Sequence, residues 1–162
     1  MARNVYFSFH YQRDIFRVQV VRNSWVCYPT NRHAGYFDRG LWEEAKTKGA
    51  AAIRKLIDEG MAQTGVTVVL IGAETSNRTW VDYEIRRSIE LGKGLLGIRI
   101  NNVRSMSTGT DYAGNNPFTK YGPYSGSSVR TTYDVPVYDW VYDNGFNNLG
   151  SWVEAAALRA NR

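Results

Sequence analysis

The stretch Val66 to Leu91, VTVVLIGAETSNRTWVDYEIRRSIEL, narrows the choice of fold more than any other part of the chain. Val66 to Ile71 is apolar at every position but Thr67 and rich in β-branched side chains, the composition of a parallel strand covered on both faces. Gly65 and Gly72 bound it, and a polar crossover, Gly72 to Arg78, follows. Thr79, with Asp82 three residues on, fits a capping box and predicts a helix beginning near Trp80, with Val81, Ile85, Ser88 and Ile89 turned inward. Trp80 and Glu84 are four residues apart and share a neighbouring face in its first turns. Those turns lie beside the carboxyl end of the strand, where α/β sheets bind ligands.

The remaining elements alternate around this unit. Asn4 to His10 is β-branched and aromatic and predicts a first strand, with Tyr11 to Asp14 as a polar corner and Ile15 to Arg22 as a short helix. Ser24 to Tyr28 predicts a second strand, and Pro29 to Arg39 a loop above the cleft. Apolar residues at helical spacing make Leu41 to Met61 a long amphipathic helix with a bend at Gly49. Gly92 stops the central helix, and Leu95 to Ile100 is another strand. Asn101 to Tyr133, full of Ser, Gly, Thr, Asn and Tyr, has no persistent period and predicts a long loop that adds little to the core: a lid, an assembly surface or an insertion. Val135 to Val141 is an edge strand with Pro136 near its start. Asn148 caps a last helix that turns Leu149, Trp152, Val153, Ala156 and Ala157 inward.

This alternation implies an α/β fold in one domain spanning residues 1–162: a flavodoxin-like three-layer sandwich around a central five-stranded parallel sheet in the order 2-1-3-4-5. The switch point of that order lies between the first and third strands and brings Phe9 to Asp14 beside Gly72 to Glu84. Ser8, His10 and Asp38 border the cleft, and Trp42 reaches it from the loop side. A strand-end histidine such as His10 is ordinarily a satisfied structural residue, and Glu43 with Glu44 reads as a solvated helix face.

Several function classes are disfavoured. A chain of 162 residues buries a core without staples, and its single cysteine, Cys27, allows no internal disulfide and fits a reducing cytoplasm. His10 and His33 stand apart from any zinc-like cluster, so no metal is expected. No apolar run has the length of a membrane span, and the amino terminus lacks the pattern of a signal peptide. The net charge of +5 comes from scattered residues, which disfavours nucleic acid and suits attraction of a small anion such as a pyrophosphate compound. No glycine-rich phosphate fingerprint follows the first strand, which counts against a flavin or nucleotide carrier of flavodoxin type.

Four segments in order, FSFHYQRD, FDRGLWEEAKTKG, VTVVLIGAETSNRTWVDYEI and VYDW, resemble the TIR-like family of bacterial anti-phage defence, in particular the Thoeris protein B subfamily. The resemblance spans most of the chain and is weakest over residues 101–133. It implies a TIR-like fold and an NAD glycohydrolase or ADP-ribosyl cyclase that makes a cyclic ADP-ribose-type signal. NAD is then the substrate, and no cofactor is implied. The glutamate that the family uses as its catalytic residue falls on Glu84 through WVDYE. A signal-responsive effector, a phage-derived trigger and a homo-oligomer on activation are the implied partners.

The residues suit that chemistry. Nicotinamide leaves NAD as a neutral molecule from a cationic bond, so one carboxylate suffices where ordinary glycoside hydrolysis uses two. Glu84 would hold the ribose hydroxyls and stabilise the developing oxocarbenium charge. Phe9, Trp80 and Tyr83 would supply aromatic walls, with Ser8, His10, Asp38, Trp42 and Asn77 as further substrate contacts. Whether water or another atom of the nucleotide captures the cation stays open at this level, and so does a rival reading: a non-catalytic TIR-like scaffold acting by homotypic assembly.

Overall fold

Val66–Ile71 forms a strand with every residue buried, as its two-sided apolar composition requires. The computed structural model of the protein describes residues 3–26, 32–33 and 39–162. Its elements run β1 (Asn4–Ser8), α1 (Tyr11–Val26), β2 (Arg32–His33), α2 (Arg39–Lys48), α3 (Ala50–Met61), β3 (Val66–Ile71), a 3₁₀ turn (Thr75–Asn77), α4 (Thr79–Glu90), β4 (Gly94–Arg99), β5 (Val137–Asp139) and α5 (Gly145–Arg159). The fold is α/β with a parallel sheet, and its strands pair in the order β2-β1-β3-β4-β5. β3 lies in the interior between β1 and β4, while the flanking β2 and β5 are only two and three residues long. Among the described residues no helix is long and apolar enough to cross a membrane.

Alternation along the strands separates two cores. Val5, Phe7, Val66, Val68, Leu70, Leu96 and Ile98 pack against α1 and α5 through Val18, Val21, Trp25, Leu149, Val153, Ala156 and Ala157. On the opposite face Val69, Ile71 and Leu95 meet Val81 and Ile85 of α4. Tyr6 on that face packs with Ala45 of α2 and with Ile53, Ile57 and Met61 of α3. The one polar residue of β3, Thr67, is explained by a buried relay: its hydroxyl meets that of Ser88 at 2.7 Å, and Ser88 donates to the Glu84 carbonyl.

Several boundaries differ from the sequence reading, each for a local reason. α1 is longer than Ile15 to Arg22 and takes in Ser24 to Val26, because Trp25 continues its inward stripe as a buried side chain. The second strand is therefore Arg32–His33 instead of Ser24 to Tyr28; Cys27 and Tyr28 lie outside the described residues. Leu41 to Met61 is two helices, since Gly49 adopts φ 101°, a left-handed value that ends α2 and opens α3. The capping box does not form: Arg78 is the N-cap residue of α4 and makes no side-chain cap. Asp82 instead holds Lys120 at 2.9 Å and accepts a hydrogen bond from the Tyr121 hydroxyl. α5 begins at Gly145 after Asn144 in a left-handed turn, and Asn148 donates its amide to the Asp143 carbonyl instead of capping.

The largest departure concerns Asn101 to Tyr133. This segment packs as part of the core, for Phe118 and Tyr121 are buried against β3, β4 and α4, and Val103 joins the other face. Two arginines of α1 pin it: Arg13 grips Asp111 with two bonds of 2.9 and 3.0 Å, and Arg17 donates to the carbonyls of Val103 and Gly109. Isolated aromatics without period carry no helix or strand signal, so their burial was invisible to pattern reading.

Candidate functional site

β1 and β3 end side by side, with Ser8 paired to Val69, and a cleft of about 330 Å³ opens beyond their carboxyl ends. Thr75 shapes its lip by accepting from the Gly72 amide at 2.8 Å, which turns the chain sharply out of β3 and starts α4 over the sheet. The residues after β1, Phe9 to Gln12, form one wall. Asn77 to Val81, at the start of α4, form a second, and Trp42 with Lys46 of α2 form a third.

Glu84 lines this cleft yet is only 4 % exposed, so it is a buried carboxyl and not a surface residue near a helix start. The reason is its place on α4: it lies on the side that faces β1, between the inward residues Val81 and Ile85 and the relay through Ser88. The Tyr6 hydroxyl donates to Oε1 at 2.6 Å, and the Ser8 hydroxyl donates to Oε2. Burial raises the Glu84 carboxyl to about 7, with the two hydroxyl donors opposing that rise.

The sequence-derived candidates divide as follows. Phe9, His10, Trp42, Asn77, Trp80 and Glu84 all line the cleft. Ser8 is fully buried and reaches it through Glu84. Tyr83 does not line it: its ring packs edge-on to Trp80 at 5.9 Å, and its hydroxyl turns away to Asp58 at 3.2 Å. Three residues after Trp80, and so its neighbour on the surface of α4, it serves as the outer support of that indole. Trp42 meets Trp80 from the other side at 6.5 Å in a T-shaped contact. Asp38 lies outside the described residues. His10 is not the satisfied strand-end histidine expected, because its buried Nδ1 has no hydrogen-bond partner among the described residues and lies 3.9 Å from Glu74. Burial, followed by the nearby Arg78, lowers its pKa and favours the neutral imidazole.

Sequence reasoning missed Tyr6, Tyr11, Gln12, Lys46, Arg78 and Thr79. Two of these carried a readable signal. Tyr6 stands two residues before Ser8 and must share its strand face, and Lys46 stands four residues after Trp42 on one helix. Glu43 and Glu44 pair with Lys46 and Lys48 on the exposed side of α2, as a solvated face should.

A family model described as Thoeris protein ThsB, TIR-like domain, matches residues 6–105, a span that runs from within β1 through β4 and holds every described wall of the cleft. The chain belongs to the ThsB TIR-like family. A ThsB1 protein of Bacillus cereus (strain MSX-D12), described as a proposed cyclic ADP-D-ribose synthase, is 39 % identical over 191 aligned positions covering 94 % of this chain and all of that protein. The ThsB-type domain thus presents at its cleft one buried carboxyl, two hydroxyl donors behind it and aromatic rings on facing walls. Such a site can stabilise positive charge at the carboxyl while holding flat rings alongside.

Proposed function

We propose that this ThsB-type protein cleaves NAD, releasing nicotinamide and forming a cyclic ADP-ribose-type signal. The observation that carries the reading is Glu84, a buried carboxyl opening into a cleft walled by Phe9, Trp42 and Trp80. The name of the Bacillus cereus relative agrees with it.

In the proposed reaction the bond between ribose C1′ and the nicotinamide nitrogen breaks with its electron pair passing to that nitrogen, so nicotinamide departs neutral. No acid is required to assist it. The ribosyl centre left behind is cationic, and the fixed charge of Glu84 lowers its energy without reorganisation. Capture by another nucleophilic atom of the same nucleotide, with loss of its proton, closes a ring; capture by water gives ADP-ribose. A ring-closing outcome is favoured where the walls exclude water, and the half-buried Trp42 and Trp80 supply apolar walls of that kind. The product would act on a signal-responsive effector, with a phage-derived trigger and self-association as the means of activation.

The experiment is incubation of the full chain with NAD, alone and in lysate of phage-infected cells, with nicotinamide and cyclic product followed by chromatography and mass spectrometry. Glu84→Gln is the control, and its turnover should fall on the order of a hundredfold or more. Equal turnover by the variant, or assembly without any NAD loss in either setting, would favour the non-catalytic scaffold.

A further inference from the structure

Tyr6 and Ser8 leave β1 on the same side of the sheet and give the two oxygens of Glu84 a donor each. The tyrosine is the less expected of the two. It is fully buried, with its ring among Ala45, Ile53, Ile57 and Met61. A phenylalanine would fill that space without bringing a polar group into the core, so the hydroxyl needs an account of its own. That hydroxyl stays protonated, because burial and then the charge of Glu84 raise its pKa well above the ordinary value. It is therefore a donor throughout the physiological range, and a donor favours the charged form of the carboxyl it meets.

We propose that Tyr6 is a positioning residue for Glu84: its hydroxyl fixes Oε1 and holds the carboxylate in its anionic form, oriented to the cleft, against the cost of burial. The inference rests on the proposed reaction and deepens it, since charge stabilisation needs the ionised carboxylate and Tyr6 sets the pH at which that form is available. The ring, seated between α2 and α3, fixes where the hydroxyl stands.

The test uses the full chain with Tyr6→Phe, which keeps the ring and removes the donor. The Glu84 carboxyl is titrated by carbon-13 NMR, with the spectrum of Glu84→Gln assigning its signal, and the pH profile of NAD cleavage is recorded alongside. Loss of one hydrogen bond to a charged group should raise the Glu84 midpoint by about one unit and move the acid limb of kcat/KM equally, with the alkaline plateau largely kept. Site-specific 3-fluorotyrosine at position 6, a stronger donor of nearly the same shape, should move both in the opposite direction; it decides the matter if Tyr6→Phe does not fold. A Glu84 midpoint that neither replacement moves overturns the inference. The titration needs no turnover, so a protein inactive on NAD would defeat the proposed reaction while the effect of Tyr6 on Glu84 would still be read.

Discussion

The carboxylate of Asp14 lies directly against the α-carbon of Gly72, so that a methyl group built there would overlap it. Asp14 is 1 % exposed, and neither of its oxygens has a hydrogen-bond partner among the described residues. The charged groups around it come from three elements: Arg13 and Arg17 of α1, Asp111 of the segment above, and Glu74 after β3. Burial dominates and raises its pKa to about 6. The contact joins the first turn of α1 to the exit of β3, beside the candidate site.

Asp14→Asn should therefore show a pH-dependent stability difference. Because the folded-state pKa exceeds the unfolded value of 3.8, the stabilising contribution is complete below that value and is lost as pH rises through about 6. Asparagine does not titrate. Between about pH 4 and pH 7.5 the balance should shift in favour of the variant by roughly 1–3 kcal/mol. Urea unfolding of both proteins at several pH values measures it, and parallel curves would show that Asp14 is solvated.

Gly72→Ala should be costly for the same geometric reason, as the added methyl must displace either Asp14 or the turn held by Thr75. A comparable case is Gly94, whose added Cβ would lie 2.7 Å from the Ala156 carbonyl oxygen of α5. Overpacking of this kind costs about 1–3 kcal/mol. Thermal melts of Gly94→Ala should show that loss, with faster amide exchange in α5, and an unchanged melt would mean that α5 slides freely over β4.

Phe118→Ala tests whether residues 101–133 are structural. The ring is buried against Val69, Ile71 and Leu95, with its edge at the surface of Gly97. Removing it should cost about 3–5 kcal/mol, as for other buried aromatics. A loss under about 1 kcal/mol would restore the view of this segment as an expendable loop.

These positions also show what the sequence disclosed and what it withheld. The run Val66–Ile71 announced a buried interior strand because each residue must satisfy both faces, and the glycine after α4 marked its end with φ 62°. Glu84 was findable from spacing and resemblance, and its burial was not, because periodicity assigns a residue to a helix face without saying what covers that face. Tyr6 read only as a strand aromatic; its role near Glu84 depends on the contact between two elements 78 positions apart. Phe118 and Tyr121 were hidden for a related reason, since irregular backbone carries no period even when its side chains are core.

The last prediction separates stability from activity at Glu84. Burial raises this carboxyl from 4.5 to about 7, so its favourable contribution to folding is complete below pH 4.5 and is lost as pH rises through 7. At pH 8 the folded protein carries a desolvated anion that the Tyr6 and Ser8 donors compensate only in part. Glu84→Gln removes that charge and retains a side chain that accepts from one hydroxyl and donates to the other oxygen. Between about pH 4.5 and pH 8 the variant should thus gain on the wild type by roughly 1–3 kcal/mol, while its NAD turnover falls on the order of a hundredfold or more. Melting curves across this pH range, set beside turnover on the same samples, measure both. A variant that loses activity and also melts lower at pH 8 would show that the carboxylate is held mainly for the fold, and a site that exchanges stability for charge would then be the wrong description of Glu84.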